Sequence, residues 1–379
     1  MLNKIMFFLP TLGGGGAERT VIQLANNLVQ QGHEIDVVVC NLHGEKGKLL
    51  TEVNAQIQLI DLNCGRVVNA LLPLKKLLQA VPYTAVVATQ SHSNIICALA
   101  KRLAKSPCKL ILREVSTPSK NMKLHGWKKW VFQSLVNWTY QRADRVVCVS
   151  NGVLQDFRAY YHYQPDNLCT IYNPVLDQSY FEKLQAPVEH HFFADRETDG
   201  ANKAQVILAV GRLTEAKNFA LLIRAFATVH QQQPNTRLII LGEGELRTEL
   251  ETLRQQLGLQ EVVDLPGFDP NPYAYFKYAA LFVLSSNWEG LPGVLIQALA
   301  SRIRVVSTDC PSGPREILAE GQFGQLVPCD DTARLAAAIQ RALNTEEVQG
   351  SEEVFEQHCL QFHKDTVVRQ YRDLLESEA

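Results

Sequence analysis

The 379-residue chain lacks several of the usual markers of function. Its nine cysteines are an odd, scattered set with no C-x-x-C pair and no metal-finger spacing. That pattern argues against a disulfide framework or a zinc ribbon and for reduced thiols in a cytosolic setting. Cys40, Cys148 and Cys310 lie in or near strand-like runs and are expected to be core packing. No apolar run reaches the length of about 20 residues that a membrane-spanning helix needs. The opening MLNKIMFFLPTLGGGG has too short an apolar stretch for a secretory signal and reads as a first strand. Excess charge of either sign is also missing. Thirty-seven basic residues face 39 acidic ones, and no block of like charge stands out, so nothing points to a nucleic-acid partner.

The chain does have apolar residues, at 46 %, and enough length for two cores. Short runs rich in Val, Ile, Leu and Phe alternate with helix-length amphipathic segments. Strands are expected at Lys4–Pro10, Glu34–Cys40, Ile57–Leu62, Ala85–Thr89, Lys109–Glu114, Arg145–Ser150 and Cys169–Tyr172. A second series covers Val206–Val210, Arg237–Leu241, Val262–Leu265, Leu281–Leu284, Val305–Ser307 and Gly324–Val327. Continuous apolar strands separated by helices indicate parallel sheets covered on both faces. The polar, aperiodic segment 185–203, with His190 and His191, interrupts the rhythm and reads as a linker. The expected organisation is a doubly wound domain over 1–184, the linker, a second such domain over 204–350, and a helical tail over 351–379. Ligands of such sheets bind at the carboxyl ends of the strands, and a cleft between the two domains is the expected site.

Five clusters at expected strand ends could carry chemistry. Gly13–Gly16, followed by Ala17, Glu18 and Arg19, puts bare amides at a helix start, where Gly14, Gly15 and Gly16 could cradle an anion. Gly211, Arg212 and Lys217 follow the first strand of the second series, and two cations there could neutralise a diphosphate. Gly242 and Gly244 form half of a G-x-G-x-x-G, a weak signal and in the wrong place for a nicotinamide site. Gly267 and Phe268 follow the next strand. Glu289 then precedes a Gly-Leu-Pro-Gly turn and a helix, with Gln297 eight positions on, about two turns into it. Glu289 could accept hydrogen bonds from sugar hydroxyls, the amides of Gly293, Val294 and Leu295 could hold a phosphate oxygen, and Gln297 could bond ribose hydroxyls. Elsewhere, the segment Asn121–Arg142 interleaves Lys123, Lys128 and Lys129 with Trp127, Trp130 and Trp138. It reads either as an interfacial membrane-surface helix or as an ordinary amphipathic helix packed on the sheet. Ser312–Glu316 reads as a helix-start anion pocket.

As a set these motifs resemble the family-4 nucleotide-sugar glycosyltransferases of GT-B fold, from Gly13 to the tail. In that family a Glu-x7-Glu pair grips the donor; this chain has Glu289 and Gln297, so a neutral amide replaces the second acid and looser donor binding is expected. The resemblance implies that Arg212 and Lys217 contact the donor phosphates and that the glycine loops lie near the nucleotide, with Phe268 near the base edge. It also implies a tail that crosses back to the first domain. Many family members have a His near the reacting sugar. Here Arg113 and Glu114 are the candidates at the corresponding strand end, with His92 and His125 as alternatives.

The resulting expectation is two tandem Rossmann-like parallel-sheet domains and an enzyme with catalytic groups Glu289, Arg212, Lys217, Arg113 and Glu114. It would move a hexosyl or N-acetylhexosaminyl group from a nucleotide-diphosphate sugar, preferably UDP-linked, to a hydroxyl of a glycan or polyprenyl-diphosphate-linked acceptor in bacterial polysaccharide, lipopolysaccharide or oligosaccharide synthesis. Retention of configuration is implied by the family. No Asp-x-Asp occurs in the chain, so no metal cofactor is expected and the two cations would take the metal's electrostatic role. The setting would be cytoplasmic, peripheral at the inner membrane face, with Trp127, Lys128, Lys129 and Trp130 at the lipid surface. Two other readings stay open: a non-transferring enzyme of the same fold, such as a 2-epimerase, or a binding partner with a decayed donor site.

Overall fold

A computed structural model describes residues 4–121, 125–193, 204–345 and 351–377. It divides into two compact units. One comprises Met1–Pro174 with Lys364–Ala379, and the other Val175–His363.

Among the described residues the first unit holds a seven-stranded parallel sheet. Its strands are β1 (Lys4–Leu9), β2 (Glu34–Val39), β3 (Gln58–Asp61), β4 (Ala85–Thr89), β5 (Lys109–Glu114), β6 (Arg145–Cys148) and β7 (Leu168–Thr170), in the order β3-β2-β1-β4-β5-β6-β7. Both faces of the central strands are buried, which is why the strands read as unbroken apolar runs. Side chains alternate across the sheet, so Ile5, Phe7 and Leu9 pack with Val21, Leu24 and Leu28 of the helix Gly16–Gln30. The last helix, Lys364–Glu376, adds Val367, Val368, Tyr371 and Leu375 to the same core.

The second unit holds six parallel strands among the described residues: β8 (Gln205–Val210), β9 (Thr236–Leu241), β10 (Val263–Gly267), β11 (Leu281–Leu284), β12 (Val305–Thr308) and β13 (Gln325–Val327), in the order β10-β9-β8-β11-β12-β13. Its core joins Ile207, Leu238, Ile240 and Val283 to Leu222 and Phe226 of the helix Phe219–Gln232 and to Leu335 and Ile339 of the helix Thr332–Asn344. In each sheet the strand order reverses beside the first strand, between β1 and β4 and between β8 and β11. These crevices at the carboxyl ends are where doubly wound sheets bind ligands.

All thirteen expected strands are present, but the unit boundaries differ from the expected ones. The helix Gln178–Leu184 belongs to the second unit, because Tyr180 Oη donates to the Gln297 carbonyl at 2.6 Å and its ring meets Tyr273 edge-on at 5.5 Å. Residues 185–193 of the expected linker also belong to the second unit, and 194–203 lie outside the described residues. The tail is two helices rather than one. Glu352–Leu360 stays with the second unit, where Phe355 packs on Phe323, and only Lys364–Glu376 joins the first. The break frees the Phe362 carbonyl to accept from the amides of Val175 and Leu176, both at 3.1 Å.

Candidate functional site

The strongest polar constellation of the second unit stands at its strand-order reversal. β8 runs into a loop, Gly211–Asn218, that is laid down on backbone. Gly211 N donates to Leu241 O at 2.9 Å, Leu213 N to Glu243 O at 2.9 Å, and Leu246 N to Leu213 O at 3.1 Å. A Cβ on Gly242 would sit 1.9 Å from Gly211 O, and one on Gly244 would sit 2.3 Å from Leu213 O. These two glycines therefore let two main chains touch. That packing accounts for the half-motif without a ligand.

The same loop is tied to the end of β11. Ser285 Oγ donates to Lys217 O at 2.9 Å, and Asn287 donates through its backbone N to Ala216 O at 2.8 Å and through Nδ2 to Glu215 O at 2.9 Å. Asn218 has a left-handed backbone, φ 45°, and caps the helix Phe219–Gln232 by accepting from Leu221 N at 3.2 Å. Its Nδ2 donates to Asn287 Oδ1 at 2.8 Å and to Asp330 Oδ1 at 3.1 Å.

These bonds bring Lys217 Nζ to 2.6 Å from Glu289 Oε1, which also accepts from Ser286 Oγ at 2.7 Å. The side chains are 19 % and 12 % exposed, so the pair is largely shielded but reachable. Sequence reasoning found Lys217 and Glu289 but missed Ser285, Ser286, Asn287 and Asp330. No sequence signal marked them: a Ser-Ser-Asn triplet after a strand reads as an ordinary loop start, whereas here Ser285 and Ser286 are buried.

Arg212 is exposed and makes no ion pair among the described residues. The helix Gly293–Ala300 begins behind Pro292 without a side-chain cap. Leu295 N already donates to Pro292 O at 3.0 Å, so of the three amides expected to hold a phosphate, Gly293 and Val294 remain. Gln297 lies half-buried on this helix, and its side-chain amide makes no hydrogen bond among the described residues. Gly267 closes β10 with φ +102° and accepts from Gly242 N at 2.8 Å; Phe268 beyond it is 73 % exposed. In the Ser312–Glu316 segment the helical turn begins only at Pro314, running Pro314–Ile317, and its Arg315 is engaged by Asp309 and Glu320.

In the first unit, Gly15 stands before the helix Gly16–Gln30, which again lacks a side-chain cap. Gly14 has φ +95°, and a Cβ on Gly15 would meet a Glu18 carboxylate oxygen at 2.4 Å, whereas Gly16 has open space. The loop is braced by Leu12 N donating to Lys46 O at 2.7 Å and Leu49 N donating to Leu12 O at 3.0 Å. Arg19 turns to Glu52 at 3.2 Å.

Arg113 and Glu114 do not fit the catalytic place expected of them. Both are fully buried, on opposite faces of β5. Arg113 donates from Nε to Tyr371 Oη at 2.6 Å, from Nη2 to Asn173 Oδ1 at 3.2 Å and from Nη1 to Thr89 Oγ1 at 3.4 Å. Glu114 accepts from Ser91 Oγ at 3.0 Å, from Asn94 Nδ2 at 2.9 Å and from Tyr140 Oη. Burial pushes its carboxyl up to about 7, against the pull of those donors. Each is enclosed by neutral partners that hold helices to the sheet. Of the alternatives, His92 lies against Phe132 at 5.6 Å, and His125 is exposed just before the helix Gly126–Tyr140.

That helix carries Trp127 at 73 % exposure, Trp130 at 69 % and Val131 at 46 %. Lys128 is exposed with Nζ 6.0 Å from the Trp127 ring centre, Lys129 lies 4.7 Å over Tyr160, and Trp138 sits between Arg102 and Arg142 at 5.3 and 4.3 Å. Lys123 lies outside the described residues. No helix among the described residues is long and apolar enough to cross a membrane.

Two family models match the chain: Glycosyltransferase Family 4 over residues 14–178 and Glycosyl transferases group 1 over 192–354. The chain is 30 % identical over 359 residues, 92 % of each chain, to the N-acetylgalactosamine-N,N'-diacetylbacillosaminyl-diphospho-undecaprenol 4-alpha-N-acetylgalactosaminyltransferase of Campylobacter jejuni. Among solved structures it is similar to Anabaena HepE in complex with UDP-glucose, with TM-score 0.80 at 19 % identity, covering 99 % of this chain and all (100 %) of that one. It is similar also to a glycosyltransferase from Rickettsia africae, with TM-score 0.79 at 18 % identity, covering 99 % and 98 %. With the two doubly wound units and the Lys217–Glu289 constellation, these matches establish that the chain belongs to the family-4 glycosyltransferases of GT-B fold.

Proposed function

We propose that this glycosyltransferase moves a hexosyl or N-acetylhexosaminyl group from a UDP-sugar to a hydroxyl of a polyprenyl-diphosphate-linked glycan, with retention and without a metal ion, in bacterial polysaccharide or oligosaccharide synthesis at the inner membrane face. The observation that carries the reading is the Lys217–Glu289 pair at the carboxyl ends of β8 and β11, with the uncapped amides of Gly293 and Val294 on the next helix. An ammonium has three donor hydrogens, so Lys217 can keep Glu289 and still meet a diphosphate oxygen. As the bond from the anomeric carbon to that oxygen lengthens, negative charge grows on the leaving phosphate. Lys217, the exposed Arg212 and the helix-start amides stabilise it. Glu289, fixed by Ser286 and Lys217, is placed to accept from sugar hydroxyls and orient the ring. The acceptor hydroxyl attacks on the face the diphosphate leaves, and a departing phosphate oxygen takes its proton.

The donor choice is supported by the UDP-glucose complex of HepE, and the acceptor class by the lipid-linked substrate named for the Campylobacter relative. The exposed Trp127, Trp130 and Val131 beside Lys128 suit a lipid surface.

The test is transfer from a panel of UDP-sugars to an undecaprenyl-diphosphate-linked saccharide, followed by product chromatography and NMR of the new linkage. Lys217→Ala and Glu289→Ala should each lower kcat/KM by about 100-fold or more. Transfer at wild-type rate in both variants, or an epimerised donor as the only product, would overturn the proposal. Transfer should also survive a chelator; activity that is lost with chelation and restored by magnesium would defeat its metal-free part.

A further inference from the structure

Away from the donor constellation, one group of metal-type side chains converges among the described residues: His190, His191 and Asp264 of the second unit. His190 Nε2 lies 3.0 Å from Asp264 Oδ2. The two imidazoles of these sequence neighbours are stacked, with centroids 4.5 Å apart and planes at 21°. One ligand atom from each of the three residues falls within 4.8 Å of the others. In a tetrahedral site with bonds of about 2.0–2.1 Å, ligand atoms stand about 3.3 Å apart. The His190–Asp264 distance already matches one such edge. The third corner needs a closing movement by His191, which is exposed and packs on the rings of His190 and Phe192.

Half of the site is held rigidly. The His190 side chain is 6 % exposed and sits against Phe193 at 5.7 Å and Tyr275 at 6.3 Å. Asp264 is fixed in β10, with Oδ2 turned to His190. Two guanidiniums stand near: Arg254, donating to Val263 O at 3.1 Å, and Arg237, 5.9 Å from the Phe192 ring centre. They temper the affinity.

We propose that His190, His191 and Asp264 form a binding site for one zinc-class divalent ion, with water completing its shell, that staples the segment 187–193 to β10. Two imidazoles and a carboxylate suit Zn²⁺, Co²⁺ or Ni²⁺, whereas Mg²⁺ and Ca²⁺ take oxygen ligands. His190 Nδ1 accepts from Phe192 N at 3.1 Å, so the neutral ring carries its proton on Nε2, facing Asp264. An ion at Nε2 moves that proton to Nδ1 and releases the Phe192 amide, which costs one half-exposed hydrogen bond. The ion would be structural. It touches no group of the Lys217–Glu289 site, so its loss leaves transfer chemistry intact.

Titrating the full chain with Co²⁺ and following its visible absorption tests this. One saturable ion per chain is expected, without the near-ultraviolet charge-transfer band that thiolate ligands produce. His191→Ala, at an exposed position, and Asp264→Asn should each weaken binding at least ~10-fold. Zn²⁺ should raise the Tm of the wild type and not of either variant. The absence of a saturable site, affinity unchanged in both variants, or a thiolate band that puts the ion on cysteines would each overturn the proposal. Transfer activity is read separately, so failure here does not bear on the donor site.

Discussion

At the scale of single residues, the glycines of the second unit separate into those that answer to packing and those that leave a surface open. Gly242→Ala would drive a methyl into the Gly211 carbonyl at a backbone with φ +140°. The variant should lose about 3 kcal/mol, read as a lower urea midpoint at unchanged m. Gly293→Ala meets only ordinary contacts with Val175, at 3.7 and 3.8 Å, so it should fold normally. Glu114 offers a pH test. Its carboxyl is raised from 4.5 to about 7 in the folded protein, so between those values the native state holds a proton that the unfolded chain has released. Stability therefore falls as pH rises through that window, by on the order of 3 kcal/mol for a shift of this size. Glu114→Gln keeps the shape and removes the titration. The Tm difference between variant and wild type should move in the variant's favour from pH 5 to pH 8; a difference that stays constant would show that Glu114 is ionised throughout.

At the scale of elements, the expected strands held because a strand covered on both faces has to be apolar throughout, and few alternatives to a parallel sheet bury such runs. β4, β5 and β11 coincide with the expected spans to the residue. Lys217 and Glu289 were legible for a related reason: charged residues next to glycine turns at strand ends have few structural excuses. The polar frame behind them was not legible, because Ser285, Asn287 and Asp330 act through the carbonyls of Lys217 and Glu215 and the side chain of Asn218, contacts that no sequence spacing encodes. Arg113 and Glu114 misled because a charged pair at a strand end looks the same whether the end opens to solvent or is roofed by Tyr140 and Tyr371. The frame makes its own prediction. Asn287→Ala removes the tie to Glu215 and the acceptor for Asn218, so Lys217 loses its fixed approach to Glu289. The expected result is a drop in kcat/KM of about 10-fold or more with little change in Tm, since the residue lies at the surface of the core. The helix Gly126–Tyr140 is tested by flotation with anionic liposomes: Lys128→Glu with Lys129→Glu should reduce bound protein, most clearly at low salt.

At the scale of the whole molecule, the sequence suggested two domains in series and a crossing tail, and the contact pattern supports a tail shorter than expected. Composition could not reveal the break at 361–363, because Leu360, Val367, Tyr371 and Leu374 keep a helical spacing across it. Past the end of the first tail helix, the Phe362 carbonyl accepts from the amides of Val175 and Leu176 instead of continuing a helical ladder. Stopping the chain after His363 should strip Val367, Val368, Tyr371 and Leu375 from the first core and leave the Arg113 guanidinium without its Tyr371 partner. A fully buried cation deprived of a hydrogen bond costs about 1–3 kcal/mol before the lost apolar area is counted. Circular dichroism of that truncation should show the melting of one unit lost or sharply lowered while the other persists. Because 175–363 is an insertion within the first unit, synthesis on the ribosome imposes an order. The inserted unit has all its described strands by the time Val327 emerges, whereas the first unit waits for the helix Lys364–Glu376 to close its core. The first unit thus closes after the one inserted in it, and a stop codon anywhere in the closing helix would leave the first incomplete and the second whole.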